Sequence, residues 1–256
     1  MALIDAHVHL YPAEANRDPA GWAAARGERH WAVLCTRRRK DGRPVQGFSD
    51  VDGLLRAMDA AGVGRAVLQG WYWENPETAV LQNRLYARCL RAHPDRLAAF
   101  AALHPGGEAG TVRGEIHRWR DEGFAGLGEL SPHSQGCALN APGWRELLAC
   151  AGEFGLPVNL HVTDPAAGRY PGRVETPLDD FKRLALEFPQ TRFILAHWGG
   201  LLPLHDPAAR ALPNLFYDTA ASPLLYEPAS VRRCVAAAGA ERVLFGSDFP
   251  LNLYPK

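Results

Sequence analysis

The sequence predicts an α/β fold, a (β/α)8 TIM barrel. Eight short apolar segments, many of them β-branched, recur along the 256 residues, and segments with helical periodicity lie between them. Strands that alternate with helices in this way indicate parallel βαβ units, and eight such units indicate a closed barrel. A doubly wound open sheet is the alternative, but no GxGxxG motif follows the first strand.

The predicted strands begin 23 to 35 residues apart, after a first gap of 62 residues between positions 3 and 65. They cover Leu3–His7, Arg65–Leu68, Leu97–Leu103, Ala125–Glu129, Pro157–His161, Arg192–His197, Leu215–Asp218 and Arg242–Gly246. The predicted helices cover Val51–Ala61, Glu77–Ala92, Thr111–Glu122, Pro142–Phe154, Pro177–Phe188 and Glu227–Ala238. This spacing leaves room for a helical crossover between consecutive parallel strands.

Residues 1–256 are interpreted as one barrel domain with two departures from a regular barrel. Residues 11–49 form an insertion that is too long for an ordinary loop, and we expect a structured lid there. It contains Arg37–Lys40, a basic run that is either a solvated loop tip or a site for an anionic substrate. The chain also has no visible eighth helix before Lys256, so either it is truncated or another subunit covers the last strand, as in a homodimer.

Composition argues against several classes of protein. Lys plus Arg and Asp plus Glu each total 28, so the basic excess of a nucleic-acid-binding protein is absent. No apolar run is long enough to cross a bilayer. The five cysteines are scattered without a CxxC pair, which favours reduced thiols. We therefore expect a cytoplasmic protein that binds a small molecule rather than nucleic acid or membrane.

Side chains that bind metals end five of the predicted strands. Active sites of such barrels lie at the C-terminal ends of the strands. His7 and His9 stand two positions apart in strand 1, so both face the same side of that strand. A histidine pair alone is weak evidence, but burying six ionisable groups together would be costly without a cation. The groups that end strands 4, 5, 6 and 8 are Glu129, His161, His197 and Asp248.

The ligand types predict a divalent metal centre with one or two ions. Imidazole and carboxylate suit Zn²⁺, Mn²⁺, Fe²⁺ and Co²⁺, and no cysteine ends a strand to supply a thiolate. Zn²⁺ is the first expectation, because a catalytic Zn²⁺ keeps an open position for water and lowers the pKa of that water to about 7.

Four stretches resemble the amidohydrolase superfamily, and within it the amidohydrolase-related branch of metal-dependent hydrolases and decarboxylases. These stretches are Asp5–His9, Met58–Val63, Leu195–Gly200 and Phe245–Pro250. The resemblance covers nearly the whole chain. It implies that His7, His9 and Asp248 ligate a metal with His161 as a further ligand, and that His197 is a second-site ligand or a general acid/base. Asp248 is also the group expected to accept the proton of the metal-bound water.

Glu129 has two interpretations. Binuclear hydrolases of the superfamily, such as those resembling the TatD-type nucleases, place a glutamate or a modified lysine on strand 4 to bridge two metals. Several related decarboxylases bind one metal and have no obvious need of that carboxylate. Glu129 therefore either completes a two-metal site with His161 and His197 or pairs with an arginine at the rim.

Substrate recognition is assigned to four residues in the loops after strands 2, 3 and 5. Trp71 and Trp73 follow strand 2 and either wall an apolar substrate or pack against the insertion. His104 ends strand 3 and either contacts substrate or forms a turn. Arg169 is suited to hold a carboxylate with two hydrogen bonds, or else lies on the surface.

The leading functional expectation is a metal-dependent hydrolase that directs a metal-activated water at a small-molecule amide, lactone or ester. The alternative uses the same site for non-oxidative decarboxylation or hydration of an aromatic or unsaturated carboxylic acid, with His197 helping to protonate carbon. A third interpretation is a binding barrel that retains the ligands without turnover.

Overall fold

The strands close around a barrel axis. The computed structural model describes residues 2–106 and 108–251. Within them, eight parallel strands form one sheet in chain order from β1 to β8. The backbone N–H of Ala6 donates to Phe245 and that of His9 to Phe249, both at 2.7 Å, so the last strand lies against the first. The result is a nearly closed barrel surrounded by helices, and the predicted (β/α)8 fold is confirmed.

Each predicted strand and helix is present, with ends shifted by a few residues. The strands are β1 Leu3–Val8, β2 Val63–Leu68, β3 Leu97–Ala101, β4 Gly126–Leu130, β5 Val158–Leu160, β6 Phe193–Leu195, β7 Leu215–Asp218 and β8 Val243–Leu244. The helices are α1 Ala13–Arg17, α2 Pro19–Arg26, α3 Arg29–Cys35, α4 Val51–Ala61, α5 Pro76–Ala92, α6 Ala109–Asp121, α7 Pro142–Phe154, α8 Leu178–Glu187, α9 Leu202–His205, α10 Pro207–Arg210, α11 Ser222–Leu225 and α12 Pro228–Ala238.

Helix α4 illustrates why these segments are helical. The side chain of Asp50 caps its first turn by accepting the backbone N–H of Gly53 at 2.8 Å. Gly62 ends it in the left-handed region, at a φ of 69°. Leu54 and Met58, four residues apart, bury one face of the helix against the barrel.

The last part of the barrel is described only up to Leu251. The stretch after it, on which the expectation of a missing eighth helix rests, lies outside the described residues. The longest helix, α5, has 17 residues. Over the ranges given above, none of the helices combines the length and the apolar character needed to cross a membrane.

The insertion after β1 folds into three helices that pack on the barrel through aromatic rings. The rings of Trp22 and Trp31 lie 5.5 and 5.7 Å from that of Trp73, and Trp31 lies 5.2 Å from Tyr11. Most of these pairs are edge-to-face or tilted, the arrangements that aromatic quadrupoles favour. The insertion is therefore ordered by a buried cluster between α2, α3 and the loops after β1 and β2.

We expect Trp31→Ala to lower the free energy of unfolding by about 3–5 kcal/mol, because it removes a ring that is 1% exposed and leaves a cavity. Val33→Ala is the matched control on the same helix. Its side chain is 41% exposed, so its substitution should change stability by about 0.5 kcal/mol or less. Urea unfolding followed by tryptophan fluorescence and circular dichroism measures both, and equal effects of the two variants would contradict the packing described.

Candidate metal centre

The six candidate ligands converge at the C-terminal ends of the strands. His7 lies on β1 and His9 directly follows it, Glu129 lies on β4, and the other three follow β5, β6 and β8. All are buried except His161, which is half-buried. The six are His7, His9, Glu129, His161, His197 and Asp248.

One group of donors surrounds the Oε2 atom of Glu129. The Nε2 atoms of His7 and His9 lie 3.1 Å apart. They lie 3.7 and 3.6 Å from Glu129 Oε2. Asp248 Oδ1 lies 3.6 Å from His9 Nε2. Two imidazoles and two carboxylates thus face one small volume.

A second group of donors surrounds the other oxygen of Glu129. His161 Nδ1 lies 2.9 Å from Glu129 Oε1, and His197 Nε2 lies 3.6 Å from it. The ligand atoms within each group, His7–His9–Glu129 and Glu129–His161–His197, all lie within 4.8 Å of one another. Glu129 therefore belongs to both groups, with one oxygen turned toward each.

Hydrogen bonds on the far side of the rings fix their orientation and direct their Nε2 atoms into the site. His7 Nδ1 donates to Asp218 at 2.8 Å, and His9 Nδ1 donates to the Gln69 carbonyl at 3.0 Å. His197 Nδ1 donates to the Ala220 carbonyl at 3.1 Å. A neutral imidazole that donates through Nδ1 carries a lone pair on Nε2, which is the atom that binds a metal.

Asp218, at the end of β7, holds several parts of this site. Its Oδ2 accepts from His7 and from the side-chain amide of Asn159, at 2.8 and 2.9 Å. Its Oδ1 accepts the backbone N–H groups of His197 and Ala220, at 3.2 and 3.0 Å. Asp218 is fully buried, and its carboxylate orients His7 on β1 and the backbone after β6.

The pKa values of three groups favour protons on the histidines and charge on Glu129. Burial disfavours the charged ring of His7, but the charge of Asp218 outweighs burial and raises the pKa of His7 well above its ordinary value. For His197, burial acts the same way, yet Glu129 and Asp248 raise its pKa to about 9. Burial alone would raise the pKa of Glu129, but the neighbouring histidines, His161 first, hold it well below its usual range.

Burial shifts the pKa values of two more of the six groups toward their uncharged forms. Burial and the charge on His7 lower the pKa of His9 to about 3, so its ring is neutral at pH 7. Burial raises the pKa of Asp248 to about 6, although His7 and His197 oppose that rise. A carboxyl group with such a pKa can exchange a proton near neutral pH.

These donors fit a divalent metal. The Nε2 atoms of His7 and His9 face each other at 3.1 Å, and two lone pairs at that distance repel unless a proton or a cation lies between them. The imidazole and carboxylate set is that of Zn²⁺, Mn²⁺, Fe²⁺ or Co²⁺ centres. A cation would supply the positive charge that the buried carboxylates Glu129 and Asp218 favour on the neighbouring histidines.

The backbone after β6 makes a left-handed turn that aims His197 at Glu129. The φ angles of His197, Trp198 and Leu201 are 56°, 59° and 61°, a region that costs non-glycine residues free energy. Side chains from the next loop hold the turn. Trp198 Nε1 donates to the Ser222 hydroxyl at 2.7 Å, and the Tyr226 hydroxyl donates to the His197 carbonyl at 3.1 Å. The stretch Leu195–Gly200 carried part of the family resemblance, but no local pattern in it indicated this turn.

A cavity of about 510 Å³ opens onto the donors, a size suited to a small molecule. Glu129, His161, His197 and Asp248 form part of its wall. Of the four residues expected to bind substrate, the structure places only Trp71 in this wall, beside Tyr72.

The other three residues expected to bind substrate lie elsewhere. Trp73 is fully buried in the aromatic cluster, where Nε1 donates to Gln82 at 2.7 Å, so its ring supports the insertion. His104 lines a separate groove between α5 and α6. Arg169 is exposed and outside the cavity wall.

Sequence reasoning missed two residues at the site, Asp218 and His30, and named Arg37 only as part of a basic run. Asp218 ends a correctly predicted strand, so its position at the carboxyl edge of the barrel was a usable signal. His30 and Arg37 belong to the insertion and also line the cavity. No local pattern in the insertion indicates which of its side chains reach the barrel mouth.

We expect Asp218→Asn to weaken metal binding about 10–100-fold, because the carboxylate that orients His7 and raises its basicity is lost. Competition with a chelator of known affinity measures the change. Asp206→Asn, which alters a carboxylate paired with Lys182 outside the site, should leave the affinity unchanged. An unaltered affinity in Asp218→Asn would show that the hydrogen bond to His7 does not support a metal ligand.

Comparison with solved structures identifies relatives of the fold. A 5-carboxyvanillate decarboxylase from Novosphingobium aromaticivorans, in complex with manganese, superposes with a TM-score of 0.74 at 17% identity, over 99% of this chain and 87% of that chain. A 4-oxalomesaconate hydratase from Rhodopseudomonas palustris gives 0.67 at 21% identity, over 97% and 82%. A 2,6-dihydroxybenzoate decarboxylase from Rhizobium gives 0.63 at 21% identity, over 98% and 88%. At these identities the similarity shows a shared fold.

Sequence comparison is more specific about the family. None of the curated proteins matches the chain. A family model described as amidohydrolase matches residues 4–256, which includes all six candidate ligands and the four stretches that carried the resemblance. The chain therefore belongs to the amidohydrolase family.

Proposed function

We propose that this protein is a two-metal hydrolase of a small-molecule amide, lactone or ester. The observation that carries the proposal is the position of Glu129, whose two oxygens face separate groups of imidazole donors. A carboxylate shared by two ions is characteristic of two-metal hydrolytic sites, in which the ions lie about 3.5–4 Å apart. His7, His9 and Asp248 would hold one ion, and His161 and His197 the other.

Bound divalent ions would supply positive charge that lowers the pKa of a water molecule and polarises the substrate carbonyl. The chain supplies the rest. Asp218 and the Gln69 carbonyl fix the ring orientations of His7 and His9. The left-handed turn fixes His197 opposite them. The ligands are thereby held in place before substrate arrives, which reduces the reorganisation needed during the reaction.

Asp248 is the group that moves the proton. It lines the cavity, and burial raises its pKa to about 6. Its two oxygens lie 3.6 Å from His9 and 3.8 Å from His197, so it stands between the donors and the open space. We assign it to accept a proton from the attacking water and to return that proton to the leaving group.

A second candidate, decarboxylation of an aromatic carboxylic acid, is favoured by a different observation. The cavity wall includes the rings of Trp71 and Tyr72, stacked 4.4 Å apart at an angle of 23°, which suits a flat substrate. Two structural relatives are decarboxylases of aromatic acids. Release of CO₂ without consumption of water would separate this reaction from hydrolysis.

We expect Glu129→Ala to reduce the metal content from about two ions per chain to one or fewer. The reason is that both donor groups lose a shared carboxylate oxygen. Elemental analysis of protein purified without chelator measures this. Glu153→Ala removes a carboxylate that pairs with Arg113 outside the site, and it should retain both ions.

The same two variants test the reaction. The wild-type protein and Glu153→Ala should hydrolyse at least one member of a panel of lactones, esters and amides, and Glu129→Ala should be at least about 100-fold slower. A wild-type content of one ion, unchanged by Glu129→Ala, would place Glu129 outside the ligand set and favour the decarboxylase candidate.

Metal affinity should rise with pH. A histidine must lose its proton before it binds a metal, and His197 has a pKa of about 9 in the metal-free protein. At every pH below that value the ion displaces a proton, so its apparent affinity should increase by at least about tenfold per pH unit between pH 6 and pH 8.

Calorimetric titration with Mn²⁺ in buffers of different ionisation enthalpy measures both the affinity and the protons released. His133→Asn is the control, because His133 pairs with Asp180 rather than with the donor groups and should leave the slope unchanged. An affinity that does not vary with pH would contradict protonated ligands in the metal-free site.

A further inference from the structure

Part of the cavity wall belongs to the insertion rather than to the barrel. A hydrogen bond connects the insertion to the loop after β5, since His30 Nε2 donates to the Gly172 carbonyl at 2.8 Å. The cavity is thus closed on this side by two segments that hold each other. The insertion residues in the wall are His30, Leu34, Cys35, Arg37, Val45 and Gln46.

Arg37 is the half-buried cation of this wall, and it has no carboxylate partner among the described residues. Two other arginines in the insertion differ in this respect, because Arg43 pairs with Asp41 at 2.6 Å and Arg17 lies 3.9 Å from Glu14. Burial of an arginine beside apolar groups without a counter-ion is costly. The cost is offset if an anion occupies the cavity.

The Arg37 side chain is held in a defined position. Its Nε donates to the Leu34 carbonyl at 2.9 Å, and its guanidinium carbon lies 4.7 Å from the ring centre of Tyr170. Over residues 2–106 and 108–251, its two terminal nitrogens make no hydrogen bond. A guanidinium fixed in this way presents two parallel donors, the arrangement that matches a carboxylate.

The other basic residues of the run 37–40 do not line the cavity. Arg38 is exposed and donates to the Gly42 carbonyl at 2.9 Å, within the insertion itself. Lys40 is exposed as well. Arg37 is the one residue of this run that lines the cavity, so it alone of the four is placed to bind an anionic substrate.

Apolar side chains form much of the rest of the wall, which also includes His30, Gln46 and Asp164. Leu34, Val45, Leu224 and Leu225 lie around the cavity with the ring of Tyr72. An apolar, flat body fits such a wall, and a charged body does not, because its charge would lose solvation without gaining a partner.

We propose that Arg37 binds a carboxylate of the substrate, and that the substrate is a small molecule with a flat apolar body whose carboxylate is not the group that reacts. The inference deepens the proposed function and rests on it in one respect, since it takes the metal centre as the place of reaction. Arg37 then determines specificity by pairing with the anionic end.

Two matched probes test this on the metal-loaded protein. Isophthalate carries two carboxylates on one ring, and 3-acetylbenzoate replaces one of them with a neutral group that cannot be hydrolysed. The first carboxylate of both probes can reach the metal centre, so only the second one reports on Arg37. Calorimetry should show that the wild-type protein binds isophthalate at least about tenfold more tightly than 3-acetylbenzoate.

Arg37→Gln should abolish this preference, and Arg37→Lys should retain part of it, because lysine keeps the charge but loses the paired donors. Arg38→Gln, the control in the same run, should keep the full preference. Thermal unfolding of each variant checks that the fold is retained. Equal binding of the two probes by the wild-type protein, or an unchanged preference in Arg37→Gln, overturns the proposal.

The probe preference tests Arg37 independently of whether the proposed hydrolase activity is correct. If the reaction is not hydrolysis but Arg37 reads a carboxylate, the probe preference persists while the hydrolysis panel stays negative. If the two-metal hydrolase is correct and Arg37 has no such role, the panel is positive and the probe preference is absent. Because probe binding and turnover are measured independently, the two outcomes are not confused.

Discussion

The hydrogen bond between His7 and Asp218 is the interaction on which the site depends. It joins β1 to β7, and the same carboxylate also holds Asn159 on β5 and the backbone of His197 after β6. A buried carboxylate is stable only when its oxygens accept enough hydrogen bonds or face a positive charge. Asp218 meets this requirement with four donors, and those four donors are the parts of the barrel that must be in register for the ligands to converge.

The backbone after β6 shows what this convergence costs. Three non-glycine residues lie in the left-handed region, which extended or helical backbone avoids. The turn persists because the Tyr226 hydroxyl and the Ser222 hydroxyl hold its carbonyl and its tryptophan. A strained backbone of this kind persists where several surrounding contacts hold it in place. Here the strained turn directs the imidazole of His197 toward Glu129. The loop after β7 thus takes part in the site although it holds none of the six candidate ligands.

The barrel and the meeting of the six polar side chains were predictable because both follow from local rules. Hydrophobic periodicity identifies strands and helices, and parallel strands bring their carboxyl ends to one edge. Trp73 was expected to contact the substrate but lies in the aromatic cluster, because no local rule determines where its ring points. Whether an aromatic ring faces a cavity or a cluster depends on how the insertion packs, and the insertion has no period that reveals its inward face. His30 was missed because of the same lack of pattern, and the basic run 37–40 did not show that Arg37 is its member in the cavity wall.

Glu129 determines how the chemistry of this fold is to be interpreted. The structural relatives of this fold include decarboxylases and a hydratase, so the fold by itself leaves the reaction open. A carboxylate between two imidazole groups changes the electrostatic problem, because a single ion would use only one of its oxygens and leave the other facing His161 and His197. Those two rings would then need a proton to balance the buried charge. A second ion would offer positive charge to the free oxygen and a partner to both rings, and this is the physical reason for the proposed two-metal hydrolase.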